Sequence, residues 1–268
     1  MPIEQSQVER WLREDLGHHD VTNDVPGETT GRLVATEPGV AAGLDAARAV
    51  FEYLGVELTG AVEPGTRVES GDRLLAVEGA VRDVLRGERV AANLVGHASG
   101  VATATRAAVD AARPESDSVA IAATRKTTPG LRGVEKRAVV AGGGDTHRLD
   151  LSHMVMVKEN HVAELGLETA IARFRDRTSF ATKLECEVET PADAPRAADA
   201  GADIVLLDNM SPEETARAVD LLDGDVLAEA SGGIGIDGVP AYAATGVDVI
   251  SMGSLTHSAE QLDVSFRV

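Results

Sequence analysis

The sequence predicts an α/β protein made of an N-terminal α/β sandwich domain and a parallel sheet closed, or nearly closed, into a barrel. Three observations carry this. After Pro114, six short apolar runs alternate with helical segments, the pattern of strand, crossover helix and parallel strand. Between Gly31 and Gly79 the apolar runs are instead punctuated by glycine and proline. Residues 81–113 separate the two regions with the longest helical periodicity in the chain.

Taken in order, EQSQVERWLREDL over residues 4–16 places Val8, Trp11, Leu12 and Leu16 at helical spacing, which predicts a short amphipathic helix with Trp11 as a packing anchor. His18, His19 and Asp20 follow, but two adjacent histidines without further spaced ligands make a poor metal site. RLVATE, VELTGAV and RLLAVEG read as strands and LDAARAVFEYL as a helix. VEPGTRVESGDRLLAVEG is similar to the hairpins of biotinyl-type carrier domains, yet it lacks the lysine such carriers present, so the domain is assigned a structural task. In the segment 81–113, Val84, Leu85, Val90, Leu94, Val95 and Val101 supply an apolar face, Gly96 and Gly100 allow a bend or a break into two helices, and Arg89, Asn93 and His97 share a polar stripe. Beyond it, SVAIAAT, HMVMVKE, KLECEVE, DIVLLDN, DVLAEAS and VDVISMG are the strands, with helices expected near 132–141, 162–175, 192–200, 212–222 and 237–244. Six strands are fewer than the eight of a full barrel. LDVSFRV near the C-terminus alternates and reads as one more strand.

Acidic residues outnumber basic ones by 44 to 25, for a formal net charge of −19, which argues against nucleic acid and anionic membranes as partners and suits a protein adapted to high salt. No apolar run is long enough to span a membrane and no signal-like N-terminus is present, so the expected location is cytoplasmic. The single cysteine, Cys186, excludes an internal disulfide and reads as a small core residue.

Against this acidic background, residues 124–161 gather three of the four lysines, Lys126, Lys136 and Lys158, with Arg125, Arg132, Arg137, Arg148, His147 and His161. Like charges held together repel, so the clustering predicts an anion site. In parallel α/β folds ligands bind beyond the carboxyl ends of the strands. Residues at those ends agree with one another: Arg125 and Lys126, then Lys158, then Glu187 and Glu189, then Asp208, then Ser231, Gly232 and Gly233. Lys183, Glu185, Glu187 and Glu189 alternate and so share one face of their strand, costly in a central strand unless cations, metal or water meet them. An exposed edge strand is the bland alternative. ASGGIG supplies glycines for close approach to phosphate. The spacing of His147, His153 and His161 matches no standard zinc site.

The blocks TRKTTPGLR, GGG followed by THR, VKENH, ECEVE, LLDN, EASGGI and GVDVISMGSLTHS, in this order, together with EDLGHHDVT and RGERVAANLVGHASGVAT, resemble the quinolinate phosphoribosyltransferase family over nearly the whole chain. The resemblance implies an incomplete barrel over residues 106–255, joined to a sandwich domain over 1–105 to which 256–268 return. It implies transfer of phosphoribose from phosphoribosyl pyrophosphate to quinolinate, with release of pyrophosphate and CO2, giving nicotinate mononucleotide for NAD biosynthesis. Arg125, His147 and Arg148 are then the quinolinate contacts, with Arg89 reaching in from a neighbouring subunit of a homodimer or of a hexamer built of dimers. Lys126 and Lys158 lie near the reacting groups, Glu187 and Asp208 face the ribose and Mg2+, and Ser231, Gly232, Gly233, Gly253 and Ser254 hold the 5-phosphate. Ala123, Thr146 and His153 stand where the family commonly has Asp, Asn and Asp, which alters supporting hydrogen bonds and leaves the charged ligands in place. A homologue acting on another acceptor, such as nicotinate or one associated with molybdenum transport, and a non-catalytic phosphosugar-binding barrel are the alternatives. A pure binder needs the phosphate turns but not both carboxylates.

Overall fold

The computed structural model describes residues 2–268, which divide into two compact units. The first comprises the chain up to Arg106 with residues 127–143 and 255–268, and the second comprises residues 107–126 and 144–254.

In the first unit α1 (Gln5–Leu16) buries Val8 and Leu12, one turn apart. β1 (Glu28–Ala35) pairs antiparallel with β5 (Arg73–Ala80), and β5 with β3 (Glu57–Ala61). β2 (Gly39–Val40) and β4 (Arg67–Val68) make a small second pair. α2 (Leu44–Tyr53) buries Leu44, Ala47, Val50 and Phe51 on one face. Leu44, Ala47 and Phe51 pack with Leu33, Leu74, Leu75 and Val77 of the sheet into one apolar core, where each large side chain contributes about 1.5–3 kcal/mol. α3 (Val81–Ala112) is continuous over 32 residues, so Gly96 and Gly100 do not break it into two helices. They admit another backbone instead: a Cβ at Gly96 would lie 2.9 Å from the Leu262 carbonyl oxygen, and one at Gly100 would overlap that of Glu260. α4 (Arg132–Ala141) belongs to this unit, although it lies between the first two strands of the second in sequence.

The second unit is a six-stranded parallel sheet. Its strands are β6 (Ala120–Ala123), β7 (Val155–Val157), β8 (Leu184–Val188), β9 (Ile204–Asp208), β10 (Leu227–Ser231) and β11 (Val249–Met252), in the order β6-β11-β10-β9-β8-β7. The last strand therefore pairs with the first, as in a barrel, and the seam lies between β6 and β7. Leu184, Cys186, Val205, Leu207, Ala230 and Ile250 are buried and by register share one face of the sheet, while the other face carries Glu185, Glu187, Glu229 and Ser231. The helix expected over 162–175 is two helices, α5 (Glu159–Leu165) and α6 (Leu167–Arg175). Gly166 between them has φ +79, a left-handed conformation that ends the first helix. α7 (Asp193–Asp199), α8 (Pro212–Asp220) and α9 (Val239–Ala243), the last led by a 3-10 turn, provide further crossovers, and α8 is capped by Ser211. After α10 (Ser254–His257) the chain ends in β12 (Val264–Arg267), which pairs antiparallel with β1, so the first unit's sheet runs β12-β1-β5-β3.

Candidate active site

The carboxyl ends of the second unit's strands open into one cavity of about 550 Å³. Arg125 and Lys126 reach it from beyond β6, Lys158 from the end of β7, Glu187 and Glu189 from β8, Asp208 from β9, and Ser231, Gly232 and Gly233 from β10, with His147 and Arg148 from the segment before β7. Arg132, Lys136, Arg137 and His161 of the cationic segment do not line it, and of the site residues the resemblance implies three do not. Arg89 lies on α3, its side chain 64% exposed and 3.8 Å from Glu88. Gly253 and Ser254 follow β11 without reaching the wall. A second cavity, in the first unit, is lined by Asn93 and His97 of the polar stripe and by Trp11.

One side of the site is cationic and incompletely satisfied. Arg148 is 7% exposed, its Nη2 donates only to the weak acceptor Met156 Sδ at 3.2 Å, and its Nε has no hydrogen-bond partner. Burial, then the charge of Arg125, lower its pKa. A guanidinium held at such cost and still offering donors is built to receive an anion. Lys126 follows a turn in which its own N–H donates to Thr124 Oγ1 at 3.0 Å.

Across the cavity, Lys158 Nζ donates to Glu187 Oε2 at 2.8 Å. Burial raises the Glu187 pKa, and the Lys158 contact opposes that shift. β8 lies between β7 and β9, so the carboxylate stripe sits on an interior strand, not on an exposed edge. Asp208 Oδ2 accepts from Asn209 Nδ2 at 2.6 Å. Asn209 has a left-handed backbone, φ 55, and packs against Gly232, where a Cβ would come within 2.6 Å of the Asn209 nitrogen. Gly232 and Gly233 are both left-handed, and a Cβ at Gly233 would meet nothing within 4 Å, so this turn pairs a close approach with open space.

The lining also holds Glu229, which the sequence reading missed. His147 Nε2 lies 2.9 Å from Glu229 Oε2 and 3.6 Å from Glu185 Oε2. Glu185 and Glu229 are 0% and 1% exposed, and Glu185 Oε1 and Oε2 and Glu229 Oε1 have no hydrogen-bond partner. Burial, then the Glu229 carboxylate, push Glu185 up to about 8. Period-two alternation in LAEAS, which puts Glu229 on the same face as Ser231, is the signal that could have found it. His153 and His161 do not join His147 in a zinc site: His153 Nδ1 accepts from the Leu149 N–H at 3.2 Å and His161 Nδ1 from the Lys158 N–H at 3.0 Å. Cys186 is fully buried, and burial, then Glu187, push its thiol up to about 12, which keeps it inert.

The chain matches the family described as quinolinate phosphoribosyl transferase in two parts, its N-terminal domain over residues 20–99 and its C-terminal domain over residues 101–267. It is 44% identical over 271 residues to a probable nicotinate-nucleotide pyrophosphorylase [carboxylating] of Methanothermobacter thermautotrophicus, covering 97% of each chain. It is 41% identical to the nicotinate-nucleotide pyrophosphorylase [carboxylating] of Homo sapiens, over 97% of this chain and 90% of that one. Among solved structures, that of NadC from Streptococcus pyogenes superimposes with a TM-score of 0.92 at 39% identity, over 100% of this chain and 98% of the other.

Proposed function

Because the chain belongs to the quinolinate phosphoribosyltransferase family, we infer that the cavity at the strand ends is where it joins quinolinate to phosphoribosyl pyrophosphate, yielding nicotinate mononucleotide, CO2 and pyrophosphate. The observation that carries the reading is Arg148, buried and short of acceptors, facing the same space as Arg125, Lys126 and Lys158 in a protein of net charge −19. Quinolinate is a planar dianion, and two guanidinium groups with an imidazole match its carboxylates. Arg125, Arg148 and His147 take that role.

The ring nitrogen of quinolinate forms a bond to C1 of the ribose as the bond from C1 to pyrophosphate breaks, and the electron pair leaves with the pyrophosphate. Positive charge develops on the ribose carbon in transit, so the residues that matter are those that orient the two substrates and place negative charge beside that carbon. Glu187 and Asp208 supply the charge, and Lys126 and Lys158 meet phosphate oxygens. The Lys158 contact keeps Glu187 in place until substrate arrives. Ser231, Gly232 and Gly233 receive the 5-phosphate, and Gly253 and Ser254, which follow the neighbouring strand β11, are the further contacts the resemblance implies. The carboxylate next to the now quaternary nitrogen then leaves as CO2, its electrons passing to the ring carbon, which takes up a proton. No protein nucleophile is required.

Mg2+ suits this donor set, since Glu187 and Asp208 end adjacent strands, line one cavity and offer only oxygen ligands. When bound it would offset the charge of the departing pyrophosphate. Among the described residues no helix is long and apolar enough to cross a membrane.

Release of CO2 from carboxyl-labelled quinolinate, dependent on both phosphoribosyl pyrophosphate and Mg2+, tests the reaction. Labelled CO2 without phosphoribosyl pyrophosphate, or none at all with folded protein, would sink the reading. The assembly belongs to the same proposal: Arg89 serves the site of a partner subunit in a homodimer, or in a hexamer of dimers. Inactive Arg89→Ala and Lys126→Ala proteins, refolded together in equal amounts, should then regain about a quarter of wild-type sites by random pairing. A mixture shown by mass to contain heterodimers, yet inactive, removes Arg89 from the partner's site.

A further inference from the structure

The contact between His147 and Glu229 is more than packing. His147 has φ 49, a left-handed backbone that a non-glycine residue adopts at a cost. Two bonds hold it there. Its N–H donates to Asp145 Oδ1 at 2.6 Å, and its ring Nε2 lies 2.9 Å from Glu229 Oε2. Asp145 is tied in turn to β6, donating to the Ile121 carbonyl and accepting from the Ala123 N–H. Glu229 sits mid-strand in β10, in register with Leu206 on one side and Val249 on the other. Both anchors are therefore held by sheet ladders.

Stability alone does not account for Glu229. It is 1% exposed, its Oε1 has no hydrogen-bond partner, and Glu185, 0% exposed with neither oxygen bonded, lies beside the same imidazole. A buried carboxylate left partly unsatisfied is destabilising relative to an apolar residue of similar size. The three side chains place donor atoms within 4.8 Å of one another, so a bound transition metal is the competing account of the contact, and the test below separates the two. A carboxylate oxygen accepts hydrogen bonds, so in this reading of the contact Nε2 carries the hydrogen. Glu229 thus sets both the rotation of the ring and the site of one of its protons.

We propose that Glu229 is a positioning residue for the acceptor substrate: it belongs to the cavity lining yet is 1% exposed, and its carboxylate acts through His147, locking the imidazole by accepting from Nε2. This rests on the reading of His147 as a quinolinate contact. It predicts that the acceptor's affinity, not the donor's, depends on Glu229.

The test uses the full-length protein with Glu229→Ala and Glu229→Gln, and two readouts. In steady-state kinetics Glu229→Ala should raise KM for quinolinate about 10- to 100-fold and leave KM for phosphoribosyl pyrophosphate within about twofold, as expected for loss of one hydrogen bond to a charged group. Glu229→Gln, whose amide oxygen still accepts, should recover most of the loss. In nitrogen NMR of histidine-labelled protein, the His147 ring, assigned with His147→Gln, should show a protonated, hydrogen-bonded Nε2 that changes in Glu229→Ala and persists in Glu229→Gln. An unprotonated Nε2 in the wild type, equal rises in both KM values, or an unchanged KM in folded Glu229→Ala would each overturn the proposal. So would a stoichiometric transition metal lost on His147→Gln, since the contact would then be a coordination shell. If the wild type does not consume quinolinate, the functional reading fails, and the ring signal still decides whether Glu229 holds His147.

Discussion

Each unit contains a histidine whose Nε2 lies 2.9 Å from a buried glutamate, and the two contacts differ in everything around that distance. In the first unit, Glu135 of α4 is 0% exposed and fully used: Oε1 meets His97 of α3, and the Thr128 N–H donates to both oxygens, at 3.2 and 3.1 Å. In the second unit, Glu229 has one oxygen on His147 and the other on nothing, with Glu185 unbonded alongside. A buried carboxylate with every oxygen engaged joins two helices and a loop. One with oxygens to spare, beside a guanidinium with donors to spare, marks a surface shaped for something that arrives later.

The comparison breaks most readily at the extremes. In the second unit, Arg148→Ala or Lys126→Ala should cost about 2 to 5 kcal/mol of transition-state stabilisation, a loss of about 30- to 5,000-fold in kcat/KM, with the urea midpoint unchanged. Normal turnover in either variant removes that residue from the site. On the satisfied side the expectation reverses. Glu135→Ala strands the Thr128 N–H and the His97 ring and should lower stability by about 3 kcal/mol in urea unfolding; a wild-type midpoint would show that full engagement adds nothing.

A smaller effect sharpens the contrast through pH. Glu185 has a folded pKa near 8 against an ordinary value of 4.5. The folded protein therefore keeps a proton that the unfolded chain gives up, and stability from this group falls as pH rises from about 4.5 to 8, at up to about 1.4 kcal/mol per pH unit. Glu185→Gln has no such proton. Its stability relative to wild type should rise between pH 5 and pH 8, and a flat difference would mean that Glu185 ionises normally. The smallest change expected is Glu187→Gln, which keeps a partner for Lys158 at a half-exposed contact: kcat should fall more than substrate affinity if the charge acts mainly in the transition state. Parallel losses would make Glu187 a plain ligand.

What the sequence reveals follows the same division. Strands of the second unit are legible because each carries a short apolar or alternating run, and a polar residue at the end of the run marks the rim. Arg125, Lys158, Glu187 and Asp208 are found that way. Glu229 is hidden because the glycines of EASGGI draw the eye to the next turn, and because its meaning depends on His147, 82 residues away. The glycines of α3 mislead for a related reason. Gly96 and Gly100 look like hinges locally, whereas their role is set by carbonyls of Glu260 and Leu262. Gly166 hides between Leu165 and Leu167, where apolar periodicity runs through the break between α5 and α6. Long-range partners are what periodicity cannot report.

β12 carries a consequence for how the chain is made. It completes a sheet whose other three strands lie before residue 81, and Thr36 and Asp263, hydrogen-bonded across that junction, are 227 residues apart. On a ribosome, all six strands of the second unit emerge while β1 still has an open edge, so the first unit to appear is the last to finish. At 5 to 20 residues per second the roughly 180 residues between β5 and β12 take roughly ten to forty seconds. Through that interval the nascent chain carries an unpaired strand edge of the kind that recruits other chains, and Phe51 waits for Phe266, the ring it stacks on at 6.0 Å.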